Sequence, residues 1–435
     1  MKTLDLKQYA NENRLPIMDT IQFDRWTEEL GKEKFRELLA EYIAEHRPVF
    51  PLKQISYDDM RNNMLELSRF DTSKICTPKE QIEKEVFEKY DDYKYNFKEY
   101  GLGIIDGPST FNTSSNYFMQ ELRLNCSSYG FKAPIDVWTN GTAKDIWRCL
   151  GPMWRGINGM KPVLVEGKEE LRGGRLDDKS YVSAFRLQTY IATQFKPNVA
   201  KAIYQMTNAK KVLDTSCGWG DRLAGFFASD AEEYIGCDPN PNTYKQYFKQ
   251  IETYNSFLST PKKVTIYNCG AEDLPWEQID NIDCAFTSPP YFSTERYNEG
   301  GEKEENQSWK KFDEYLKWRD DFYLPVSQKT FERSKHTFIN IMDPTIKGKR
   351  YYSCDELVGS LKDNFVGQIG MRIMQRPKSD KLFESAEEKL EFMNRIYIEN
   401  IWCFSQVEKQ NPNHFQSNFQ EKLDYFRHSR RATLF

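Results

Sequence analysis

Six residues, Thr287-Ser288-Pro289-Pro290-Tyr291-Phe292, carry the most specific chemistry in the chain. Two adjacent prolines stiffen a turn and have no N–H to donate, so their carbonyls are acceptors only. Ser288 adds a hydroxyl and Tyr291 a flat ring. Such a setting suits an amino group on an aromatic ring. Acceptors hold its hydrogens, which turns the nitrogen lone pair toward an electrophile, while the tyrosine, with Phe292 as a second ring, stacks on the base. Taken alone the segment could be a proline-stiffened surface loop. It follows the apolar run Ile282–Phe286, however, as a loop at the end of a buried strand would.

Two further strand ends point to a nucleoside-containing cofactor. In Val212-Leu213-Asp214-Thr215-Ser216-Cys217-Gly218-Trp219-Gly220-Asp221, an apolar strand ends in an acid and a G-x-G turn opens a helix. Glycines there allow a sharp turn and close approach of a ligand to the backbone. In Ile235-Gly236-Cys237-Asp238-Pro239-Asn240, an acid ends the next strand, the usual partner of ribose hydroxyls. Each fragment alone has a plainer reading, as a tight turn or a helix cap. The G-x-G-x-x-G spacing of dinucleotide-binding dehydrogenases is absent, because position 223 is Leu.

The elements that must position these loops are legible around them. From residue 211 onward short apolar runs alternate with helical patterns. KVLD, EYIGC, KVTIYN, IDCAFTS and HTFINIM read as strands. DRLAGFFAS, the segment from Pro241 to Leu258 and that from Trp309 to Glu332 read as helices. This is the alternation of a doubly wound, mostly parallel α/β sheet. VGQIGMRIMQ and RIYIENIWCFS suit an antiparallel pair at the sheet edge. A helix is expected from Tyr181 to Met206, broken or kinked at Pro197. Before it the chain reads as mainly helical, with FRELLAEYI at 35–43 repeating apolar residues at helical spacing. Residues 78–100 read as a solvated helix face, and 101–175 suggest no fold. The expected division is an N-terminal region at 1–175 and a catalytic domain at 176–435.

Composition bounds the rest. The 435 residues carry 61 Lys plus Arg against 65 Asp plus Glu, a formal charge of -4. A nucleic-acid partner therefore needs a local basic face rather than a global one. No window approaches the ~18 apolar residues of a membrane helix, and the N-terminus has no signal-peptide core. Nine cysteines in no paired spacing, several in apolar runs, read as reduced thiols of a cytoplasmic protein. With four scattered histidines, no metal site is expected.

With these residues in hand, a resemblance is evident. TSPPYF resembles the [DNS]PP[YFW] motif of class I S-adenosylmethionine-dependent amino-methyltransferases, the group that includes DNA cytosine-N4 and adenine-N6 methyltransferases. DTSCGWGD is similar to that family's cofactor loop, CDPN to its ribose-binding turn, and Cys269–Pro275 (CGAEDLP) to the turn beside the adenine. Ile398–Phe404 (IENIWCF) resembles its closing strand. The likeness covers about Tyr181 to Ser405. It implies a seven-stranded Rossmann-like methyltransferase sheet, S-adenosylmethionine as cofactor, and methyl transfer to an exocyclic amine of a DNA base, cytosine N4 slightly favoured over adenine N6. RNA, a protein glutamine, or a non-catalytic module of the same fold are the alternatives. By the resemblance, Ser288, Pro289, Pro290 and Tyr291 form the catalytic loop. Asp214, Cys217, Gly218, Trp219, Gly220, Asp238, Pro239, Ala271 and Glu272 hold the cofactor. The sequence departs from the family at Thr215-Ser216, Gly270 and Asn400. At the first, an apolar cofactor contact is lost or falls to Trp219. At the second, the adenine contact falls to Glu272, Asp273 or backbone.

About 70 residues separate the cofactor loop from the motif, too few for a recognition domain beside the helices and strands they must form. Target recognition is therefore expected in residues 1–175, the acidic insert Glu295–Asn306 and the segment Lys347–Lys378. Basic candidates for phosphate contacts are Lys347, Lys349, Arg350, Arg372, Arg376 and Lys378; Arg155, Arg172 and Arg175; and Arg427, Arg430 and Arg431.

Overall fold

A computed structural model describes residues 4–82, 86–88, 92–128, 130–157, 161–165, 167–374 and 383–407. The chain forms two compact units. One comprises Met1–Ile55, Gln120–Thr193 and Arg296–Glu299; the other comprises Ser56–Met119, Gln194–Glu295 and Gly300–Phe435. This division differs from a cut near residue 175.

The first unit is helical, around α1 (Thr20–Leu30), α2 (Lys32–His46) and α3 (Asp178–Gln188). Asp19 and Gln22 form a capping box that starts α1. Phe23, Phe35, Leu39, Ile43, Trp138 and Phe185 fill its core. Arg36 lies 3.6 Å over the Trp147 ring and donates to the Trp147 carbonyl at 2.7 Å. Within this unit, Arg296 N donates to Ser128 Oγ at 2.9 Å.

The second unit holds a sheet of ten strands among the described residues. They are β1 (Cys76–Pro78), β2 (Val86–Glu88), β3 (Gly101–Ile105), β4 (Lys211–Asp214), β5 (Glu233–Cys237) and β6 (Lys263–Tyr267), then β7 (Ile282–Thr287) and β8 (Ser334–Asn340). Past a small hairpin of β9 (Thr345–Ile346) and β10 (Lys349–Arg350) come β11 (Phe365–Arg372) and β12 (Ile396–Ser405). Across the sheet the order is β1-β3-β11-β12-β8-β7-β4-β5-β6, with β2 also on β12. β6, β5, β4, β7 and β8 run parallel, and β12 is antiparallel to both β8 and β11.

The strands from β4 onward form the doubly wound, mostly parallel α/β sheet read from the sequence. The chain winds outward from β4 through β5 to β6, then crosses back to β7 on the other side of β4. The reversal between β4 and β7 is a topological switch point, where open α/β sheets bind ligands at the carboxyl ends of their strands. Both sequence-read loops, Thr215–Gly220 and Ser288–Phe292, leave the sheet at that point. α4 (Pro197–Met206), α5 (Asp221–Phe227), α6 (Pro241–Asn255) and α7 (Leu324–Arg333) supply its helices.

At Pro197 the helical stretch is broken rather than kinked: one helix ends at Gln188 and Pro197 opens α4 as its first residue, where its missing N–H costs nothing. Two expectations change. The β11–β12 pair is antiparallel, yet it is not the edge: β3 pairs with β11 in parallel and β1 continues beyond it. Residues 78–100 are not one solvated helix; their described parts include β2 and a single helical turn at Phe97–Tyr100. Buried Lys201, in α4, donates to the carbonyls of Leu67, Ser68 and Phe70 at 2.8 to 2.9 Å, closing the end of the helix Tyr57–Arg69. No described helix is long and apolar enough to cross a membrane.

Candidate active site

The loop after β4 is shaped from below. Asp214 is fully buried, and its carboxylate takes Arg222 Nε at 2.8 Å, Arg222 Nη2 at 3.2 Å, Tyr234 Oη at 2.7 Å and Ser216 N at 3.1 Å. Arg222 also donates to the Ser216 carbonyl. Burial works against charge on Arg222, but the ion pair with Asp214 more than offsets it, so its pKa is raised. Asp214 thus holds the loop, and its oxygens are occupied by protein. Cys217 is likewise buried, with its thiol toward the Asp214 carbonyl, and burial pushes its pKa well up. Both side chains, expected to hold the cofactor, meet protein groups here.

Gly218 and Gly220 sit at φ 57° and 71°. A Cβ on Gly220 would lie 2.3 Å from Gln250 Oε1. One on Gly218 would meet only the Ser216 carbonyl, at 3.7 Å, so the backbone there faces open room. Trp219 beside it is half-buried.

At the end of β5, Asp238 accepts from Gly218 N at 2.9 Å, Asn240 N at 2.9 Å and Thr243 Oγ1 at 3.2 Å. Burial pushes its carboxyl up to about 6, against the pull of those donors. Pro239 follows it, half-buried. After β6, Ala271 is buried and its carbonyl takes Trp276 Nε1 at 3.1 Å. Glu272 folds back over Gly270, where a Cβ would lie 2.4 Å from Glu272 Oε2. The departure to glycine at 270 is what makes room. Glu272 Oε1 pairs with Lys311, while Oε2 is buried without a hydrogen-bond partner.

The motif loop is tied to the cofactor loop through Thr287 Oγ1, which is 3.0 Å from Thr215 Oγ1 and 2.9 Å from Ser216 Oγ. Ser288 is half-buried, beside the Tyr291 hydroxyl. That hydroxyl donates to Glu399 and lies 3.3 Å from the Asn340 carbonyl. Burial, then the Glu399 charge, pushes its pKa well up. The Pro290 carbonyl accepts from Phe292 N at 2.9 Å, whereas the buried Pro289 carbonyl has no hydrogen-bond partner among the described residues. Phe292 is not available to stack on a base. It is 5% exposed, at φ 53°, among Tyr315, Trp318 and Tyr351 at centroid distances of 5.8 to 6.1 Å.

Sequence reasoning passed over Glu399 and Asn340 as site residues. Their signal was a polar pair in apolar strands: Glu399 in IYIENIWCFS, and Asn340 closing HTFIN. Asn340 Nδ2 donates to the Asn400 carbonyl at 3.0 Å, and Asn400 Nδ2 to Tyr93 Oη at 2.9 Å. Of the basic candidates, Arg175 is buried against Asp177 at 2.7 Å, Arg372 pairs with Asp106 at 2.7 Å, and Arg350 pairs with Asp343 and Asp92. Arg376, Lys378, Arg427, Arg430 and Arg431 lie outside the described residues. No group of three or more metal-ligating side chains is placed to hold an ion among the described residues.

No family model and no curated protein sequence matches the chain. Solved structures similar to it include methyltransferases by title. An rRNA methylase from Streptococcus thermophilus is 9% identical, covering 49% of this chain and 99% of its own, with a TM-score of 0.31. An O-methyltransferase from Thermotoga maritima is 11% identical over 57% and 77%, with a TM-score of 0.29. The N-terminal domain of EvdMO1 with SAH bound is 9% identical over 59% and 94%, with a TM-score of 0.30. The fold is Rossmann-like, an α/β fold with a mixed, mostly parallel sheet, and the strand order, with β12 reversed between β8 and β11, carries this.

Arg222→Met should cost roughly 3–5 kcal/mol, because it leaves the Asp214 charge buried and unpaired. Urea unfolding reads it, and adding Asp214→Asn to that variant should recover part of the loss.

Proposed function

We propose that this protein transfers a methyl group from S-adenosylmethionine to an exocyclic amine of a nucleic-acid base. The observation that carries the reading is the Ser288-Pro289-Pro290-Tyr291 turn at the carboxyl end of β7, beside the switch point, with the Pro289 carbonyl unpartnered.

The residues present fit the cofactor. Asp238 closes β5 with an acceptor position left on Oδ2 for a ribose hydroxyl. Gly218 leaves its backbone uncovered for the methionine part. The unpartnered Glu272 Oε2 at the turn after β6 suits an adenine amino group. Bound there, S-adenosylmethionine supplies an electrophilic methyl on a sulfonium. Ser288 Oγ and the Pro289 carbonyl accept the hydrogens of the target amine and hold its lone pair in line. They also face the positive charge that develops on the nitrogen during transfer. Tyr291 offers its ring face to the base, and its hydroxyl, fastened to Glu399, fixes the ring plane. Much of the acceleration comes from this positioning. A base within a duplex has to leave the stack first, at a cost of a few kcal/mol.

DNA, with cytosine N4 ahead of adenine N6, is the narrower reading and rests on the motif's leading serine. RNA is the alternative, and one assay reads both. Nucleoside mass spectrometry on DNA and RNA from cells making the protein should show a new N-methylated base. A Ser288→Ala, Tyr291→Ala control should not show it. No new base in either polymer would exclude a nucleic-acid amine as the target.

Asp238 adds a pH signature. Its ionised form is the stronger acceptor for a ribose hydroxyl, so affinity should fall as pH drops through about 6. Calorimetry with S-adenosylhomocysteine should show about tenfold weaker binding at pH 5 than at pH 7. Asp238→Asn should bind weakly at both pH values and lose the dependence.

A further inference from the structure

Of the basic candidates read from the sequence, Arg175, Arg350 and Arg372 are already paired with carboxylates. Two lysines are not. Lys347 and Lys349 flank Gly348 at the tip of the β9–β10 hairpin, both exposed, and neither has a carboxylate partner among the described residues. The turn is a tight two-residue one, with Lys347 at φ 49° and Gly348 at φ 79°, the conformation whose twist matches a β-hairpin.

The hairpin is held firmly at its root. Arg350, its last residue, places Nε 2.9 Å and Nη2 2.8 Å from Asp343 Oδ2, pairs also with Asp92, and lies 4.5 Å over the Tyr352 ring. Tyr351 N donates to the Pro344 carbonyl at 3.0 Å. The Tyr351 ring stacks on Tyr315 at 4.2 Å and meets Phe292, the residue after Tyr291, at 6.1 Å. The carboxylates nearest in sequence are engaged: Asp355 takes Lys94 N, and Glu356 takes Arg319 and Tyr315. The turn therefore carries two ammonium groups without a carboxylate, that of Lys349 lying 4.8 Å over the Tyr351 ring, on an arm whose base is packed against the motif loop itself.

We propose that the Lys347-Gly348-Lys349 turn is a phosphate-gripping arm, which holds the polynucleotide backbone beside the base presented to Ser288 and Pro289. The inference rests on the nucleic-acid reading above and adds to it the place where the backbone is held. A chain of net charge -4 repels a polyanion as a whole, so unneutralised charge at the site's rim is where attraction has to come from. Lysine suits this task as a point charge that tolerates varied phosphate positions. Phosphate contacts set register and carry no sequence information. The arm thus raises affinity without choosing the target sequence.

The test is the salt dependence of binding by the full chain. The probes are a fluorescein-labelled DNA duplex and labelled single strands of DNA and of RNA, titrated across potassium chloride concentrations. Removing two phosphate contacts in Lys347→Ala/Lys349→Ala should lower the log–log slope by about 1.8 on duplex or about 1.4 on a single strand. The thermal midpoint and S-adenosylhomocysteine affinity should stay as in the wild type. Lys347→Arg/Lys349→Arg should restore the slope, and the sequence methylated should not change. Wild-type binding with an unchanged slope in the alanine variant overturns the arm and leaves the nucleic-acid reading standing. Absence of wild-type binding to all three probes overturns both.

Discussion

The site hangs on one buried ion pair. Asp214 ends β4, Arg222 is the second residue of α5, and their pairing fixes where the strand stops and how the loop between them runs. Tyr234 adds a hydrogen bond from β5 and Ser216 one from the loop itself. A charge pair taken wholly out of water gains little net stability, and its value is more often in specifying one arrangement. Here that arrangement presents Gly218 outward, keeps Cys217 inward, and sets Thr215 and Ser216 against Thr287. The last contact couples the cofactor loop to the strand that carries the proline motif. Two loops far apart in sequence are thereby held at one end of the sheet.

Much of that sheet is legible in the sequence, because parallel strands buried on both faces leave short continuous apolar runs between helical patterns. KVLD, EYIGC and IDCAFT show this plainly. The strands contributed by residues 76–105 do not. GLGII is five buried residues rich in glycine between turn-forming segments, with no periodicity to mark it. β1 and β2 are three residues each, too short for any pattern. Their place beside β11 and β12 is decided by pairing across more than 250 residues, which no local window contains.

The candidate site divides the same way. Residue types at strand ends point to the right loops, since glycine, acid and proline constrain backbone wherever they stand. Which way a side chain faces depends on what packs behind it. Asp214 faces Arg222, and nothing in DTSCGWGD reveals that partner eight residues on. Phe292 extends the motif in sequence but turns away in space, at a positive φ, into the ring cluster of Tyr315, Trp318 and Tyr351. Glu399 arrives from the far strand β12 to hold Tyr291, and only its charge within an apolar run hints at it.

The central claim is that one strand-end cleft seats both the cofactor and the amine. A crystal structure with S-adenosylhomocysteine bound tests it most directly. The account predicts a ribose hydroxyl on Asp238, the amino acid part over Gly218, and the sulfur facing Ser288 and Pro289. A ligand bound elsewhere, or with its sulfur turned away from the proline turn, would contradict it.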